Sequence, residues 1–478
     1  PYFKGTWIYD KWTEPTYPVL RLNFLNLDNF SIDDFKNKLN SYITEFANKI
    51  GVKEYAEKKE PEDSIDSMLE KLREEKRQIV ILIDEYDYQL TSNINHDDLY
   101  KQFQQKIKRF YANIKDKLAI KFLGITGVTR LKDVEIFSIG SDINDITNES
   151  AFSQLIGFTR DEIKKYYIDY LKLAASYENK CRVEEVTDAQ IESMLDMMAQ
   201  NYDGYCFDED YEKKVFNTWS VNKFFQTMVG KKKVQFGEYW YDNGGLPSIL
   251  VNYLKTHELN IFEYLDKDKF LKVSSDDFKN PTALTTINQN VLMCQTGYLT
   301  LRSDLNKTST VALGIPNGEI YKALNRLLAN NIFKGNTDIT DDYGRSLLEV
   351  GTVDDIINLF NSALNSVSYD NYPIVSESSV QNMLKLYLLG AHQKVLSEVH
   401  EAKGRADLVV NTDNRRIVFE FKYAKNETEA KSKLLDAVEQ IKTRDYGNIV
   451  PKKTELLRIA AVFNADPKVR AFTEFQLV

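Results

Sequence analysis

The chain has 478 residues, 43% of them hydrophobic, which is enough for about three domains with sizeable cores. Its net charge of −9 excludes a protein that coats nucleic acid through bulk positive charge, because that mode rests on neutralising phosphates. No run of eighteen apolar residues occurs, so no membrane span is expected. Cys181, Cys206 and Cys294 are scattered and odd in number, as suits a reducing cytoplasm, and with His96, His257, His392 and His400 they make no zinc-ligand spacing.

In chain order, the first 200 residues alternate strand and helix. Tyr17 to Leu25 reads as a strand, and Ile32 to Ile50 as an amphipathic helix with Phe35, Leu39, Ile43 and Phe46 on one stripe. Ser64 to Lys76 is a second, charged helix. Gln78 to Ile83 is a nearly continuous apolar run, which predicts a parallel strand covered on both faces. Leu99 to Lys117 is helical, and Leu118 to Thr126 is the next buried strand. The alternation predicts an α/β region with a parallel sheet.

The Gln78–Ile83 strand runs into Asp84-Glu85-Tyr86-Asp87. Acids at the C-terminal end of a central parallel strand lie where α/β proteins bind ligands. In a phosphate-binding ATPase the first acid would hold Mg²⁺ and the second would polarise water. The same residues also fit a polar strand end that caps the next helix. Thr126 stands at the end of the following strand, and Arg130 follows closely enough to reach a phosphate.

From about Asp208 to Asp370 the chain reads as mostly helical and aromatic-rich. Ser220 to Met228, Ser248 to Lys255, Ile320 to Ala329 and Val353 to Leu364 are helices, with Asn243-Gly244-Gly245 and Pro281 as breaks. Gln295 to Arg302 and Thr308 to Leu313 pair as a small hairpin. Tyr239-Trp240-Tyr241 has the composition of a base-stacking platform, but core packing is the better account. Ala175 to Glu185 and Asp341 to Arg345 read as surface connections.

The C-terminal stretch from Gly404 to Tyr423 carries the clearest chemistry. Ala406 to Val410 and Ile417 to Tyr423 are short strands, joined by the turn residues Asn411-Thr412-Asp413-Asn414. If Val410 faces Ile417, then Asp407 faces Glu420, with β-carbons roughly 5 Å apart. Lys422 lies two residues beyond Glu420 and shares its face. Two carboxylates suit Mg²⁺, which completes its octahedron with water and substrate phosphate, and the lysine beside them can orient a water or offset developing negative charge. An ordinary cross-strand surface ion pair fits the same spacing. Ala430 to Arg444 then reads as a helix on Leu434, Leu435, Val438 and Ile441, and Leu456 to Phe463 as a buried strand, so a right-handed crossover makes that strand parallel to the one bearing Glu420. From Lys403 to Arg458 there are 13 Lys plus Arg against 9 Asp plus Glu, a local net charge of +4 compatible with nucleic acid and equally with a mixed-charge surface.

The series GRADLVV, EFKY and EQIKTRDY resembles the PD-(D/E)XK nuclease superfamily, in the branch that follows an AAA-ATPase-like domain. The resemblance implies that Asp407 is the motif aspartate, that Glu420 and Lys422 are the (D/E)-x-K pair, and that Gln440 on the following helix stands beside the site. Glu377, in SESSVQNMLKLYL, matches a first-helix carboxylate; Ala406 replaces the motif proline. YFKGTWIYDKW, Asp84-Glu85, GITGV with Thr126 as a phosphate sensor, the Phe137–Thr147 stretch with Asn144 and Asp145 near a helix start, GFTRDEI, NYDGYCF and FNTWSVNKFF resemble successive motifs of the ATPase-like part.

The implied architecture is α/β: residues 1–207 a parallel-sheet ATPase-like domain, 208–370 a helical lid with a winged-helix-like linker, and 371–478 a small restriction-endonuclease-like domain. The implied cofactors are Mg²⁺, on Asp407, Glu420, Glu377 and Asp84, and ATP, near Asp84, Glu85, Thr126 and Arg130. The implied function is an ATPase-linked, Mg²⁺-dependent nuclease; DNA or RNA is the expected partner, without a membrane, and a homo-oligomer is one compatible state. The alternatives are a non-catalytic switch or binding module that retains the nuclease fold, and an ATPase acting on proteins with the C-terminal part as a docking module.

One departure matters. No G-x-x-x-x-G-K-[ST] loop occurs, and Gly230-Lys231-Lys232 lacks its first glycine and its Ser/Thr. The resemblance places that loop before Pro1, so ATP binding is expected only with a preceding segment. The 478-residue chain is therefore expected to show no tight, Mg²⁺-dependent affinity in a titration with labelled ATP; saturation at low micromolar ligand would overturn this reading.

Overall fold

The computed structural model describes all residues except 1, 2, 5, 116, 131–142, 243–247, 255, 256, 258, 259, 282, 283, 308, 334–341, 392, 402, 403 and 445–453. The breaks expected at Asn243-Gly244-Gly245, most of the Phe137–Thr147 motif, and the ends of readings at Lys255, Thr308 and Asp341 lie outside the described residues.

The first sheet is parallel, in the order β1 (Val19–Asn23), β2 (Ile79–Asp84), β3 (Ile120–Ile125). Leu20 pairs with Ile81, and Ile81 with Leu123, so β2 is central. The Ile32–Lys49 helix starts where Ser31 accepts the Asp34 N–H. The second helix begins at Pro61 rather than Ser64, because a proline in the first turn loses no intrahelical hydrogen bond. These two helices and Asp97–Ile114 contribute Phe35, Leu39, Ile65, Leu69, Phe103 and Ile107 to one core with Leu20, Leu22, Ile79, Ile81 and Ile83.

The expectation that β2 is covered on both faces fails. Its burial alternates, and on the opposite face Val19, Leu82 and Phe122 are 40%, 36% and 59% exposed. An apolar run shows what a strand tolerates; the packing of helices on one side decides which face is covered.

The middle is mainly helical, as expected. A separate core joins the helices Arg160–Tyr166, Ile168–Asn179, Asp188–Tyr202 and Thr218–Lys231 through Ile163, Leu171, Leu195, Met198 and Phe224. A small antiparallel sheet follows in the order β4 (Leu271–Ser274), β6 (Thr310–Gly314), β5 (Thr300–Leu301). The expected hairpin is present as β5–β6, but Gln289–Gln295 is a helix and β4 adds the further strand. Two supposed surface connections are largely helical: Ala175 is buried in the Ile168–Asn179 helix, and Asp342–Val350 is a helix. Trp240 packs edge-on against Tyr298, with ring centroids 5.1 Å apart, which is core packing.

The C-terminal sheet has the order β11 (Ala471–Leu477), β10 (Glu455–Asn464), β9 (Arg415–Ala424), β8 (Gly404–Asn411), β7 (Lys394–Glu401). β9 and β10 are parallel, with Ile459 opposite Phe419, and the other pairs are antiparallel. The Glu427–Arg444 helix makes the β9–β10 crossover and buries Ala437, Val438 and Ile441 on Val409, Val418 and Ala460. The other face packs Phe419 and Phe421 against Phe360 and Phe472, within the core shared with the Glu377–Gly390 helix. Edge strands β7 and β11 were not foreseen.

Glu319, at the start of the Gly318–Ile332 helix, is buried. Ser220 Oγ donates to one carboxylate oxygen at 2.7 Å, and the Trp240 N–H to the other at 2.9 Å. Burial pushes its carboxyl up to about 7, and Glu238 adds repulsion that those hydrogen bonds only partly offset. The folded state thus keeps a proton between pH 4.5 and about 7 that the unfolded chain releases, so this group lowers stability as pH rises through that window. Glu319→Gln keeps the shape and removes the titration. Relative to the parent its stability should rise by up to about 3 kcal/mol between about pH 5 and pH 8 in urea unfolding; an unchanged difference would refute the assignment.

Candidate active site

Two groups of acids lie at strand ends. In the N-terminal sheet, Asp84 ends β2 and sits between the ends of β1 and β3. One of its oxygens accepts Thr126 Oγ1 at 2.5 Å, and the other accepts Asn23 Nδ2 at 3.3 Å. The next residue, Glu85, has φ 55°, a left-handed backbone uncommon outside glycine. Burial raises its carboxyl above the usual range, with Asp87 and then Asp84 adding repulsion. Asp87 is buried beneath, accepting the N–H groups of Val128 and Thr129 at 3.2 and 2.6 Å and the Thr129 hydroxyl. Tyr86 donates its hydroxyl to the Thr129 carbonyl at 2.6 Å. Gly127 permits this: an added Cβ would lie 2.4 Å from the Tyr86 ring.

Thr126 and Asp84 are therefore brought together as read. Glu85 projects from the same strand end. Arg130 is instead engaged by Asp145, Nε to carboxylate 2.5 Å, while its N–H meets the Gln295 side chain at 3.3 Å. Asp145 does not open a helix; residues 143–146 are irregular and 147–148 form a turn. Thr129, which helps hold the loop, carried no motif signal, and Asp87 carried none beyond being the last acid of Asp84-Glu85-Tyr86-Asp87.

In the C-terminal sheet, the register follows the expectation: Val410 pairs with Ile417 and Leu408 with Phe419. The ladder between β8 and β9 stops there, one residue short of Asp407 and Glu420. The Asp407 carboxylate takes over, accepting the Phe421 N–H at 2.8 Å. Glu420 is 1% exposed. Lys422 Nζ donates to Glu420 Oε1 at 2.8 Å and to the Phe421 carbonyl at 3.1 Å, and reaches Glu377 Oε1 at 3.5 Å. Glu377 is the first residue of its helix, after the cap Ser376. Four of the five expected residues thus share one place. Gln440 lies half-buried on the crossover helix.

Gln381 was missed. It lies one helical turn beyond Glu377, is buried, and donates its amide to the Asp407 carbonyl at 2.5 Å. The i, i+4 spacing from Glu377 was the available signal.

The electrostatics separate the two charged partners. Burial, then Asp407, pushes the Glu420 carboxyl up to about 7; Lys422 pulls it back, and Glu377 adds repulsion. Burial alone would lower the Lys422 ammonium, but the Glu420 hydrogen bond and the charges of Glu420, Glu377 and Asp407 hold it above its usual value. Lys422 is a cation here, suited to hold an anionic oxygen or a water and unsuited to act as a base.

Among the described residues, no group of three or more His, Cys, Asp and Glu forms a ready metal cluster. Mg²⁺ needs less, often one or two carboxylates with water and phosphate. Glu420 Oε2 is buried beside Asp407 and has no hydrogen-bond partner among the described residues. An orphaned carboxylate oxygen next to a second acid fits a hard divalent cation. ATP does not fit the residues present, because no loop here supplies the amides and lysine for a triphosphate.

Comparison with known proteins finds a family match at each end of the chain. Residues 1–137 match the AAA-ATPase-like family, described as "Predicted AAA-ATPase", and residues 375–473 match the PD-(D/E)XK nuclease superfamily. The chain therefore carries an AAA-ATPase-like region at its N-terminal end and a PD-(D/E)XK nuclease superfamily region at its C-terminal end. It is similar to a protein of Azotobacter chroococcum mcd 1 described as "Uncharacterized protein in vnfD 5'region", at 22% identity over 98% of this chain and 85% of that one. No solved structure matches. Among the described residues no helix is long and apolar enough to cross a membrane.

Gln381→Ala would leave the Asp407 carbonyl without its donor and open space beneath the strand. The expected loss is about 1–3 kcal/mol, read as a lower midpoint in urea unfolding. An unchanged midpoint would show that the contact holds nothing in place.

Proposed function

We propose that the C-terminal region hydrolyses nucleic-acid phosphodiester bonds with a divalent metal ion, in a chain that also carries an ATPase-like region. The observation that carries this reading is the buried Glu420 carboxylate, with one oxygen on Lys422 and the other unpartnered beside Asp407. Asp407 and Glu420 would hold Mg²⁺, with Glu377 close by on the far side of Lys422. A bound Mg²⁺ would supply Lewis-acid stabilisation of phosphate charge and a more acidic water.

The protein groups have distinct tasks in this reading. Phe421 fixes Asp407 through its N–H, and Gln381 fixes the backbone that carries it. Lys422 is tethered at its ammonium by Glu420 and Glu377, which aims it at the same point and keeps it charged. From there it orients the attacking water or donates to a phosphate oxygen as charge develops. Gln440 is assigned to positioning that water. Asp84, Glu85, Thr126 and Arg130 belong to the ATPase-like region, and the hydrolytic step itself uses none of them.

Lys422→Ala is expected to lower Mg²⁺-dependent cleavage of labelled DNA or RNA by about 10²–10³-fold, the usual cost of removing one preorganised donor. Glu420→Gln should abolish cleavage and weaken Mn²⁺ binding in calorimetry, with thermal unfolding confirming that both variants are folded. Wild-type cleavage by Lys422→Ala would place the chemistry elsewhere.

A further inference from the structure

A cavity of about 150 Å³ lies a few residues from the proposed catalytic cluster, on the sheet face that carries Phe421, Tyr423 and Phe463 rather than Glu420 and Lys422, and is lined by residues that include Asn365, Tyr369, Tyr372, Ile374, Phe463 and Arg470. Among the described residues, no carboxylate lines it. Its position is fixed by two neighbours of the cluster. Phe463 pairs with Tyr423, the residue after Lys422, across one strand spacing of about 4.8 Å. Ile374 stands three residues before Glu377, whose carboxylate meets Lys422.

Arg470 is the unusual member. Its guanidinium lies 3.4 Å from the centre of the Tyr369 ring, within cation–π range. Its Nε is buried and has no hydrogen-bond partner. Three described arginines have a buried Nε of this kind. Arg302 places a terminal nitrogen on the carbonyls of Ile315 and Pro316, and Arg416 places one on Asn411. Among the described residues, Arg470 has no such oxygen. Its backbone is left-handed, φ 46°, and its N–H is held by the Asp466 carbonyl at 3.1 Å in the turn between β10 and β11. An arginine seated over a ring, fixed by its turn and left with a buried donor that meets no acceptor among the described residues is preorganised for an anion, and its planar fork matches phosphate.

We infer that this cavity is a subsite for one backbone phosphate of the nucleic acid, with Arg470 as its anchor. The inference rests on the nuclease reading and specifies how the strand is held beside the cut. The cavity is comparable in volume to one that takes a benzene-sized molecule, which is room enough for a phosphate group. Phosphate contacts of this kind set register on the strand without reading its sequence.

The test uses the full chain, with binding measured in EDTA and cleavage in Mg²⁺. Labelled DNA and RNA duplexes of one sequence are titrated against wild type, Arg470→Gln and Arg470→Lys across a salt series. Arg470→Gln should weaken binding about eightfold at roughly 0.1 M salt and reduce the DNA salt slope by about 0.9, one phosphate's share. Arg470→Lys should keep most of the slope, and unchanged thermal unfolding excludes misfolding. Equal binding and slope for wild type and Arg470→Gln would overturn the subsite, as would binding of neither duplex by wild type. Competition by millimolar inorganic phosphate that depends on Arg470, without an effect of Arg470→Gln on duplex binding, would show a site for free phosphate and also overturn it. Cleavage by wild type with unaltered Arg470→Gln binding sinks this inference alone; absent cleavage with Arg470-dependent binding sinks the nuclease reading alone.

Discussion

The C-terminal region is organised around the burial of one carboxylate. Removing an ionised acid from water costs several kcal/mol even after relaxation, and a single ion pair rarely returns more than that. Glu420 has the Lys422 ammonium at 2.8 Å on one oxygen and nothing on the other. Asp407 and Glu377 raise the cost further by repulsion. An apolar side chain at this position would serve the sheet better, since Val418 and Ala424 on the same face of β9 are simply packed. Stability therefore does not account for Glu420. In the function proposed above, a cation at its second oxygen would relieve the repulsion and supply the missing partner together.

The N-terminal acids make a useful contrast. Asp87 is as buried as Glu420, but its oxygens accept two backbone N–H groups and a hydroxyl. Such a carboxylate is a structural clamp, here tying the β2 end to the loop after β3. Asp84 is more open, and is shared between Thr126 and Asn23 from the two neighbouring strands. The two acids differ in role although they are three residues apart. The difference lies in what surrounds each oxygen, which residue type and spacing do not reveal.

That contrast also describes what the sequence discloses. Alternating strands and helices and the hairpin register were legible because side-chain periodicity and turn residues are local. The approach of Asp407, Glu420 and Lys422 followed from that register alone. Coverage of β2 was not legible, because Val80 and Leu82 are apolar whether or not a helix lies over them. Gln381 was not legible as a site residue, since a glutamine on an amphipathic helix has many outlets and only the fold aims this one at the Asp407 carbonyl. Strand β11 was missed for a similar reason: its last residues are half exposed, and the edge is secured by Asn361, whose side chain exchanges two hydrogen bonds with Phe472 across more than a hundred residues. Arg470 carries no motif; only its stacking and its lack of an acceptor distinguish it from other surface arginines.

The Glu377–Gly390 helix joins the cluster to the middle of the chain. Glu377 and Gln381 occupy its first turns and touch Lys422 and Asp407. At its other end Gly390 meets the Gly318–Ile332 helix so closely that an added Cβ would lie 2.3 Å from the Ala329 Cβ, and Tyr387 packs edge-on against Phe333. Fourteen residues of helix span about 20 Å, and a packed helix moves as a rod rather than bending. The partner helix begins at Asn317 and Glu319, which are tied by hydrogen bonds to Asp203, Ser220 and Trp240 of the helical middle. The Glu377–Gly390 helix thus joins the Lys422 contact at one end to the packing of those middle helices at the other.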